Sequence, residues 1–362
     1  MIMKSVKVLR TASGSPSAPG GYKSLKCNGE REVILIGTDV KDDPSIRQYV
    51  DVFYKVPAVT DPNYVDALLE LCKKEKVDVV MPGISAELPL LEARRNEFEA
   101  IGTKVSVTDR KGLLIANDKL KLYEFMKEHD LKVPNFEKAD TIEELLIACE
   151  RLGYPNKAVC IKMKDGSGSR GIRIINPKQS RYDIFVGEKP NSFYTTLDDM
   201  VSMFKEAGKM PELMVMEFLP GMEYSVDVLA NHGKIDYMIG RESNVILASI
   251  PQEATLAPNE EAYKIAEDVI SALELDGNLD LDFKFDENGH PQLMEINPRT
   301  AATMSIFSAG GVNLTYLRVK QLLGEPLPKL DVKYGVKMKR RYAEFFYDKE
   351  GNAIYLKNEY KK

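Results

Sequence analysis

The chain has 362 residues, which is enough for two or three domains. Its composition, 44% hydrophobic and 29% charged, is typical of soluble globular proteins. A net charge of −5 argues against a partner held by non-specific attraction to nucleic acid or to an anionic membrane. No apolar run is long enough to span a bilayer, and the four cysteines form no Cys-x-x-Cys pair. We therefore expect a reduced, cytoplasmic protein.

The first 110 residues alternate apolar strands with helices. The strand segments are SVKVLR, REVILIGTD, VDVVMPG and KVSVTD. Between them, TDPNYVDALLELCKKEK predicts a helix with Asp61 as N-cap and Pro62 at the first helical position. This alternation is typical of a doubly wound parallel sheet.

A loop rich in glycine, serine and proline, TASGSPSAPGGY, follows the first strand. A Rossmann fold binds pyrophosphate at this place, but the segment from Gly14 to Gly21 is not a clean G-x-G-x-x-G. Two interpretations stay open: a dinucleotide site, or a turn that lines the cleft of another ligand.

The pattern changes after residue 116. NDKLKLYEFMKEHDLKVPNF predicts a helix that ends before Pro134, and Thr141 and Glu144 have capping-box spacing at the start of the next helix. CIKMKDGSGSRGIRI then reads as strand, glycine loop and strand. The loop is either a flap whose backbone N–H groups close over phosphates or a flexible hairpin tip.

The segment DLDFKFDENGHPQLMEINPRT, residues 280–300, predicts a hairpin that turns at Asn288-Gly289. A two-residue loop places Glu287 opposite His290, Phe283 opposite Met294 and Asp282 opposite Glu295. Like charges directly opposite each other destabilise a sheet. The face is therefore either solvated or neutralised by a bound ion.

Asp280, Asp282, Glu295 and Asn297 project from one face of this hairpin because side chains alternate along a strand. Oxygen ligands without histidine or cysteine favour hard cations, Mg²⁺ or Mn²⁺. Pro298 ends the strand, so Arg299 leaves it beside the acids. Arg299 either grips a carboxylate or phosphate or forms a structural salt bridge with one of the acids.

The chain resembles the ATP-grasp superfamily. NDKLKLYEFMKEHDLKVPNF, CIKMKDGSGSRGIRI, MVMEFLPGMEYSVDV and DLDFKFDENGHPQLMEINPR occur in the order of that family's motifs and at matching spacing. The branch it resembles is that of the carbamoyl-phosphate synthetase large subunit and biotin carboxylase, and the resemblance covers about residues 1–330.

The resemblance implies a fold and four regions. It implies an N-terminal doubly wound parallel sheet, the pre-ATP-grasp domain, followed by a two-lobed ATP-grasp fold with antiparallel sheets, which makes the class α/β and α+β. The expected regions are the pre-ATP-grasp domain at 1–115, the N-terminal lobe with its flap at 116–218, the C-terminal lobe with the metal site at 219–330 and an extension at 331–362.

The resemblance also implies roles for individual residues. Lys119 and Lys162 would hold the nucleotide phosphates, under a flap formed by Gly166, Ser167 and Gly168. Glu217, Phe218 and Leu219 would meet the adenine, and Glu223 would bind the ribose. Asp282, Glu295 and Asn297 would hold Mg²⁺ or Mn²⁺, and Arg299 and Lys162 would be catalytic.

The expected function is an ADP-forming ligase that uses ATP to activate a carboxylate as an acyl phosphate and joins it to an amine or similar nucleophile. The alternatives are a carboxyphosphate-forming, synthetase-like subunit, a small-molecule kinase and a non-catalytic ATP-binding subunit. We expect small-molecule substrates and neither nucleic acid nor membrane as partners. Related enzymes often form dimers, so a homodimer is one expected assembly.

Overall fold

The computed structural model describes residues 3–164, 171–189, 192–247 and 250–355. The first part of the chain is a five-stranded parallel sheet in the order β3-β2-β1-β4-β5. Its strands are β1 (Val6–Arg10), β2 (Val33–Asp39), β3 (Val52–Lys55), β4 (Val79–Met81) and β5 (Lys104–Val105). Its helices are α1 (Ala18–Lys26), α2 (Tyr64–Glu75), α3 (Leu88–Ala93), α4 (Arg95–Ala100) and α5 (Arg110–Ala116).

Two boundaries in this sheet domain differ from the sequence prediction. Helix α1 begins at Ala18, inside the segment predicted as a loop, because Pro19 near its start is compatible with a first helical turn. The N-cap of α2 is Asn63 rather than Asp61. The carboxylate of Asp61 instead accepts a hydrogen bond from the backbone N–H of Asn63 (2.8 Å), as in an Asx turn.

The second sheet has the order β6-β10-β7-β8-β9 and is antiparallel except for the β8–β9 pair. Its strands are β6 (Phe136–Ala139), β7 (Val159–Met163), β8 (Arg173–Ile175), β9 (Tyr194–Thr195) and β10 (Leu213–Glu217). The helices of this part are α6 (Lys119–Glu128), α7 (Ile142–Arg151), α8 (Arg181–Gly187) and α9 (Leu197–Ala207). The capping box predicted for Thr141 and Glu144 is confirmed at the start of α7.

The third sheet is antiparallel, in the order β15-β14-β11-β12-β13-β16. Its strands are β11 (Glu223–Asn231), β12 (Lys234–Leu247), β13 (Ile250–Leu256), β14 (Gly277–Phe285), β15 (Pro291–Asn297) and β16 (Lys337–Lys339). Helices α10 (Glu260–Ala272), α11 (Ser305–Ala309) and α12 (Leu314–Leu322) pack on it, and β17 (Phe346–Tyr347) with β18 (Ala353–Ile354) forms a final hairpin. The predicted fold class, a parallel sheet followed by antiparallel lobes, is confirmed.

The β14–β15 hairpin turns differently from the prediction. Its loop has three residues, 287–289, because the N–H of Asp286 bonds to the carbonyl of His290 (3.0 Å). Gly289 adopts φ +82°, a left-handed conformation that such loops place at this position. The predicted pairs of Glu287 with His290 and of Phe283 with Met294 are therefore wrong.

A β-bulge farther from the turn restores the register, so that Asp282 does lie opposite Glu295, as predicted. Phe283 pairs with Leu293, and Met294 is the extra residue of the bulge. The longer loop shifts the pairing by one residue, and the bulge shifts it back.

Among the described residues, no helix combines the length and the apolar character that crossing a membrane requires. The first sheet and the two following sheets each have an apolar core, and α12 joins them by packing its buried side chains against both the first and the third sheet.

Candidate functional site

Two lysines and a glutamate converge between the second and third sheets. Lys119 is the first residue of α6, which Asp118 caps by accepting hydrogen bonds from two backbone N–H groups of the first turn. Its Nζ lies 2.6 Å from Oε2 of Glu295 on β15. Burial alone would raise the pKa of Glu295, but the charges of Lys119 and Lys162 outweigh it and hold that pKa below its usual value.

Lys162 lies on β7 and is only 5% exposed. Burial lowers the pKa of this lysine, and the positive charges of Lys119 and Lys284 add to the effect. Within the described part of the chain, no carboxylate forms an ion pair with its ammonium group. A buried cation without a paired anion is unfavourable, so this position is suited to an anionic ligand.

The two facing carboxylates form the second half of the cluster. Asp282 accepts hydrogen bonds from the hydroxyl of Ser225 (2.7 Å) and from Nδ2 of Asn297 (3.1 Å). Burial raises the pKa of Asp282 well above its usual value, and the neighbouring Asp280 and Glu295 raise it further. The repulsion predicted from the sequence is therefore present in the fold.

The donor set fits a divalent cation. Proton-donating groups lie against both carboxylates. Asn297 Nδ2 is near Asp282 and is 3.4 Å from Glu295 Oε1, and Lys119 Nζ is paired with Glu295 Oε2. Asn297 would have to turn its amide to offer its oxygen, which now accepts from Arg299 Nη2 (2.9 Å). Within the described ranges no group of three His, Cys, Asp or Glu side chains is arranged to hold a metal, so Asn297 is needed for a third protein ligand.

Arg299 lies beside the carboxylates and is bound to one acid of the face. Its Nη1 is 3.3 Å from Oδ2 of Asp280. The other oxygen of this carboxylate, Oδ1, accepts a hydrogen bond from Arg241 Nη2 (2.9 Å). Arg241 is buried and is paired with Asp227 as well (2.9 Å). Of the two interpretations that the sequence left for Arg299, the structural salt bridge is therefore present. The side chain is still 22% exposed, which leaves part of the guanidinium accessible.

The segment between the second and third sheets contains the residues predicted to meet the nucleoside. Glu217 ends β10 and accepts hydrogen bonds from the backbone N–H of Asn135 (2.8 Å). Glu217, Phe218 and Leu219 line a groove of about 710 Å³. Neither Lys162 nor Glu295 lines this groove, so the groove covers only the nucleoside end of the predicted site. Glu223 begins β11 and is exposed.

The sequence interpretation missed Lys284. Its Nζ lies 5.7 Å from the ring centroid of Phe218, and it is the cross-strand partner of Glu223. Strand alternation from Asp280 through Asp282 would have indicated that Lys284 shares their face. The predicted flap residues Gly166, Ser167 and Gly168 lie outside the described residues.

Two family models match parts of the chain. Residues 23–106 match the model described as "PylC-like, N-terminal domain". Residues 209–342 match the model described as "ATP-grasp in the biosynthetic pathway with Ter operon". The second match covers the third sheet, including the hairpin that carries Asp282 and Glu295.

Curated relatives extend the match over most of the chain. The carbamoyl phosphate synthase large chain of Thermotoga petrophila is 25% identical over 331 residues, which are 87% of this chain and 26% of that protein. The large chain of Clostridium acetobutylicum is 23% identical over 333 residues, 88% of this chain and 27% of that protein. The chain thus spans about a quarter of the length of these relatives.

Solved structures show the same fold. An ADP complex of N5-carboxyaminoimidazole ribonucleotide synthetase has a TM-score of 0.64 at 16% identity, with 91% of this chain and 79% of that chain covered. The biotin carboxylase domain of Hydrogenobacter thermophilus 2-oxoglutarate carboxylase, solved with MgADP and bicarbonate, has a TM-score of 0.66 at 17% identity, with 91% and 72% covered. The chain therefore has the ATP-grasp fold, as the sequence resemblance implied, and its N-terminal part matches a PylC-like N-terminal domain.

Proposed function

We propose that this protein is an ADP-forming ligase that binds Mg-ATP between its second and third sheets. It would activate a small-molecule carboxylate as an acyl phosphate and pass the acyl group to an amine or similar nucleophile. The observation that carries the proposal is the convergence of Lys119 and the buried Lys162 on the facing carboxylates Asp282 and Glu295. Cations and a metal site at one place are what phosphoryl transfer requires of a protein.

Each residue has a role in this proposal. Lys119 and Lys162 bind the phosphate oxygens and neutralise the charge that builds up on them during transfer. Asp282, Glu295 and Asn297 would hold Mg²⁺ or Mn²⁺, which when bound neutralises phosphate charge. Arg299 orients the carboxylate that attacks the terminal phosphate. No histidine base is needed, because an ionised carboxylate is already the nucleophile.

The remaining predicted residues belong to the nucleoside and the flap. Glu217 and the backbone of Phe218 and Leu219 would contact the adenine, and Glu223 would bind the ribose. The position of Glu217, Phe218 and Leu219 along the groove of about 710 Å³ supports the adenine assignment. Lys284 would add a cation near the base, between Phe218 and Glu223. Gly166, Ser167 and Gly168 keep the role of a phosphate flap on the strength of their sequence.

Bicarbonate is one candidate for the acid. Carbamoyl phosphate synthase large chains match the sequence, and the matching biotin carboxylase domain was solved with bicarbonate. Carboxyphosphate formation would then replace acyl phosphate formation at the same site. Because the chain spans only about a quarter of the synthase, we do not assign it the synthesis of carbamoyl phosphate.

The test is analysis of the nucleotide products. The protein would be incubated with Mg-ATP and pooled acids, bicarbonate and amino acids among them, with and without pooled amines. We expect ADP and phosphate to form only when an acid is present, and to form faster when an amine is added. AMP and pyrophosphate would overturn the mechanism, and an accumulating phosphoester would favour a kinase.

Glu295→Gln tests the metal assignment in the same assay. It removes the charge that the ion needs at nearly constant volume, and we expect turnover to fall by orders of magnitude while the fold is kept. Glu267→Gln, on the exposed face of α10, is the matched control and should turn over normally. Normal turnover of a folded Glu295→Gln protein would contradict the metal assignment. A folded wild-type protein that binds Mg-ATP without turnover would favour a non-catalytic binding subunit.

A further inference from the structure

A buried arginine at the end of β1 has no acidic partner. Arg10 is 1% exposed, and its Nε makes no hydrogen bond. Among the described residues, the acceptor of its Nη1 is the sulfur of Met304, at 3.9 Å. In the part of the chain that the structure describes, no carboxylate forms an ion pair with this guanidinium. A guanidinium buried in this way is costly unless an anion joins it.

Glu87, whose charge acts on Arg10, is hydrogen-bonded to other groups. Burial lowers the pKa of Arg10, Tyr22 and Glu87 act in the opposite direction, and the like charge of Arg299 lowers it again. The carboxylate of Glu87 accepts hydrogen bonds from Thr11 Oγ1 (2.6 Å) and from the N–H groups of Gly83 and Ile84 (2.9 Å each). Glu87 therefore holds two loops together and does not pair with Arg10.

The surroundings of Arg10 are shaped around its guanidinium. A Cβ atom on Gly21 of α1 would lie 2.8 Å from Arg10 Nη1 and 3.0 Å from the sulfur of Met304. Only glycine lets the helix backbone approach this closely. The aromatic ring of Tyr22 lies 6.0 Å from the guanidinium carbon, which gives the cation a π face but no negative charge.

The position of Arg10 is where an open α/β sheet binds ligands. β1 lies between β2 and β4, at the point where the strand order reverses, and Arg10 is its last residue. The start of α1 approaches the segment after Arg299, since a Cβ atom on Gly20 would lie 3.4 Å from the hydroxyl oxygen of Ser305 and 3.9 Å from the carbonyl oxygen of Ala302. The sulfur of Met304 is the acceptor that faces Nη1, and a flexible thioether is easily displaced.

We propose that the acid substrate carries a second anionic group, a carboxylate or a phosphate, that displaces Met304 and pairs with Arg10. The reacting carboxylate would lie at Arg299, so that one ligand bridges the two guanidinium groups. This inference rests on the proposed function, since it specifies the acid of the same site. It limits the acid to compounds with two anionic groups, which excludes bicarbonate.

The test is equilibrium binding of simple anions by calorimetry, without turnover. Malonate, succinate and glutarate probe two carboxylates at increasing separation, inorganic phosphate probes the phosphate alternative, and acetate is the reference. We expect at least one dianion to bind about tenfold or more tightly than acetate. Arg10→Met should abolish this preference, whereas Arg47→Met, an exposed arginine of the same domain, should keep it.

Thermal unfolding separates a ligand-binding role from a structural one. If Arg10 is kept for an anion, Arg10→Met removes an unpaired buried charge and leaves Tm equal or higher. Arg10→Lys keeps the positive charge and is the second variant for both measurements if Arg10→Met does not fold. A Tm several degrees lower in both variants, no dianion preference in the wild type, or a preference kept in Arg10→Met would each overturn the proposal. Mg-ATP affinity, measured on the same samples, reports on the proposed function separately.

Discussion

Three side chains in this protein are charged or crowded in a way that disfavours the unliganded fold. Lys162 is a buried cation without an ion pair among the described residues, Arg10 lacks an acid, and Asp282 faces Glu295. Stability alone would select against each of these, because buried charges lose their hydration. In the proposed function, bound phosphate, substrate anion and divalent cation would compensate these charges.

Lys162→Met tests this at the level of one residue. Methionine keeps the length of the side chain and removes the buried charge. We expect the affinity for Mg-ATP to fall about 10- to 100-fold, since hydrogen bonds to charged groups contribute roughly 1.5–3 kcal/mol. We also expect the free energy of unfolding without nucleotide to stay constant or to rise.

Calorimetric titration with Mg-ATP and urea unfolding give the two readouts. Lys205→Met, at an exposed position on α9, controls for the loss of a positive charge. An unchanged Mg-ATP affinity in Lys162→Met would remove this residue from the proposed phosphate site.

The β14–β15 hairpin shows how an element decides which side chains meet. The Asn-Gly pair indicated a turn at the correct place, but the loop has three residues instead of two. The bulge at Met294 then brings Asp282 and Glu295 back into opposition. The sequence prediction for this pair was right although two of its intermediate pairs were wrong, because the two shifts cancel.

The start of α7 offers a prediction at the level of one helix. Thr141 accepts a hydrogen bond from the N–H of Glu144 (3.2 Å), and Glu144 accepts from the N–H of Thr141 (3.2 Å). Thr141→Ala should lower the free energy of unfolding by about 1 kcal/mol, because an N–H of the first turn loses its acceptor. Urea unfolding measures this, and Thr141→Ser should restore most of it. An equal loss in both variants would mean that the hydroxyl cap contributes nothing.

The whole molecule is joined by contacts between distant parts of the chain. Arg318 on α12 is 2% exposed and pairs with Asp276, which precedes β14 (2.7 Å), and with the hydroxyl of Ser106 after β5 (3.2 Å). Lys320, also on α12, pairs with Glu30 of the first domain (2.8 Å). These ion pairs help to fix the first sheet against the third. They thereby help to set the position of Arg10 relative to Arg299.

Asp276→Asn tests how much the buried ion pair between Arg318 and Asp276 contributes to stability. It leaves the buried Arg318 without its counter-charge, so we expect the free energy of unfolding to fall by about 3 kcal/mol. Asp268→Asn breaks an exposed i,i+4 pair with Lys264 on α10 and should change it by less than about 0.5 kcal/mol. Urea unfolding compares the two variants. Similar small changes in both would show that the buried pair does not hold the domains together.

Local signals in the sequence were sufficient for most of the elements and for the charged face of the hairpin. The capping residue Thr141 was readable because a cap depends on neighbours within three residues. Asp280, Asp282, Glu295 and Asn297 could be placed on one face because strand alternation is a local rule. Lys284 follows the same rule and could have been found by it.

The contacts between distant segments could not be read in this way. Nothing near Arg10 in the sequence indicates that Met304, 294 residues later, covers it, or that Gly21 must lack a side chain there. The pairing of Lys119 with Glu295 likewise joins a helix start to a strand far along the chain. The sequence by itself determined most of the strands and helices and the charged face of the hairpin, because these follow from backbone periodicity and side-chain chemistry. Only the tertiary structure decided which charges are buried and which are left without a partner, because burial and pairing depend on segments that meet only after folding.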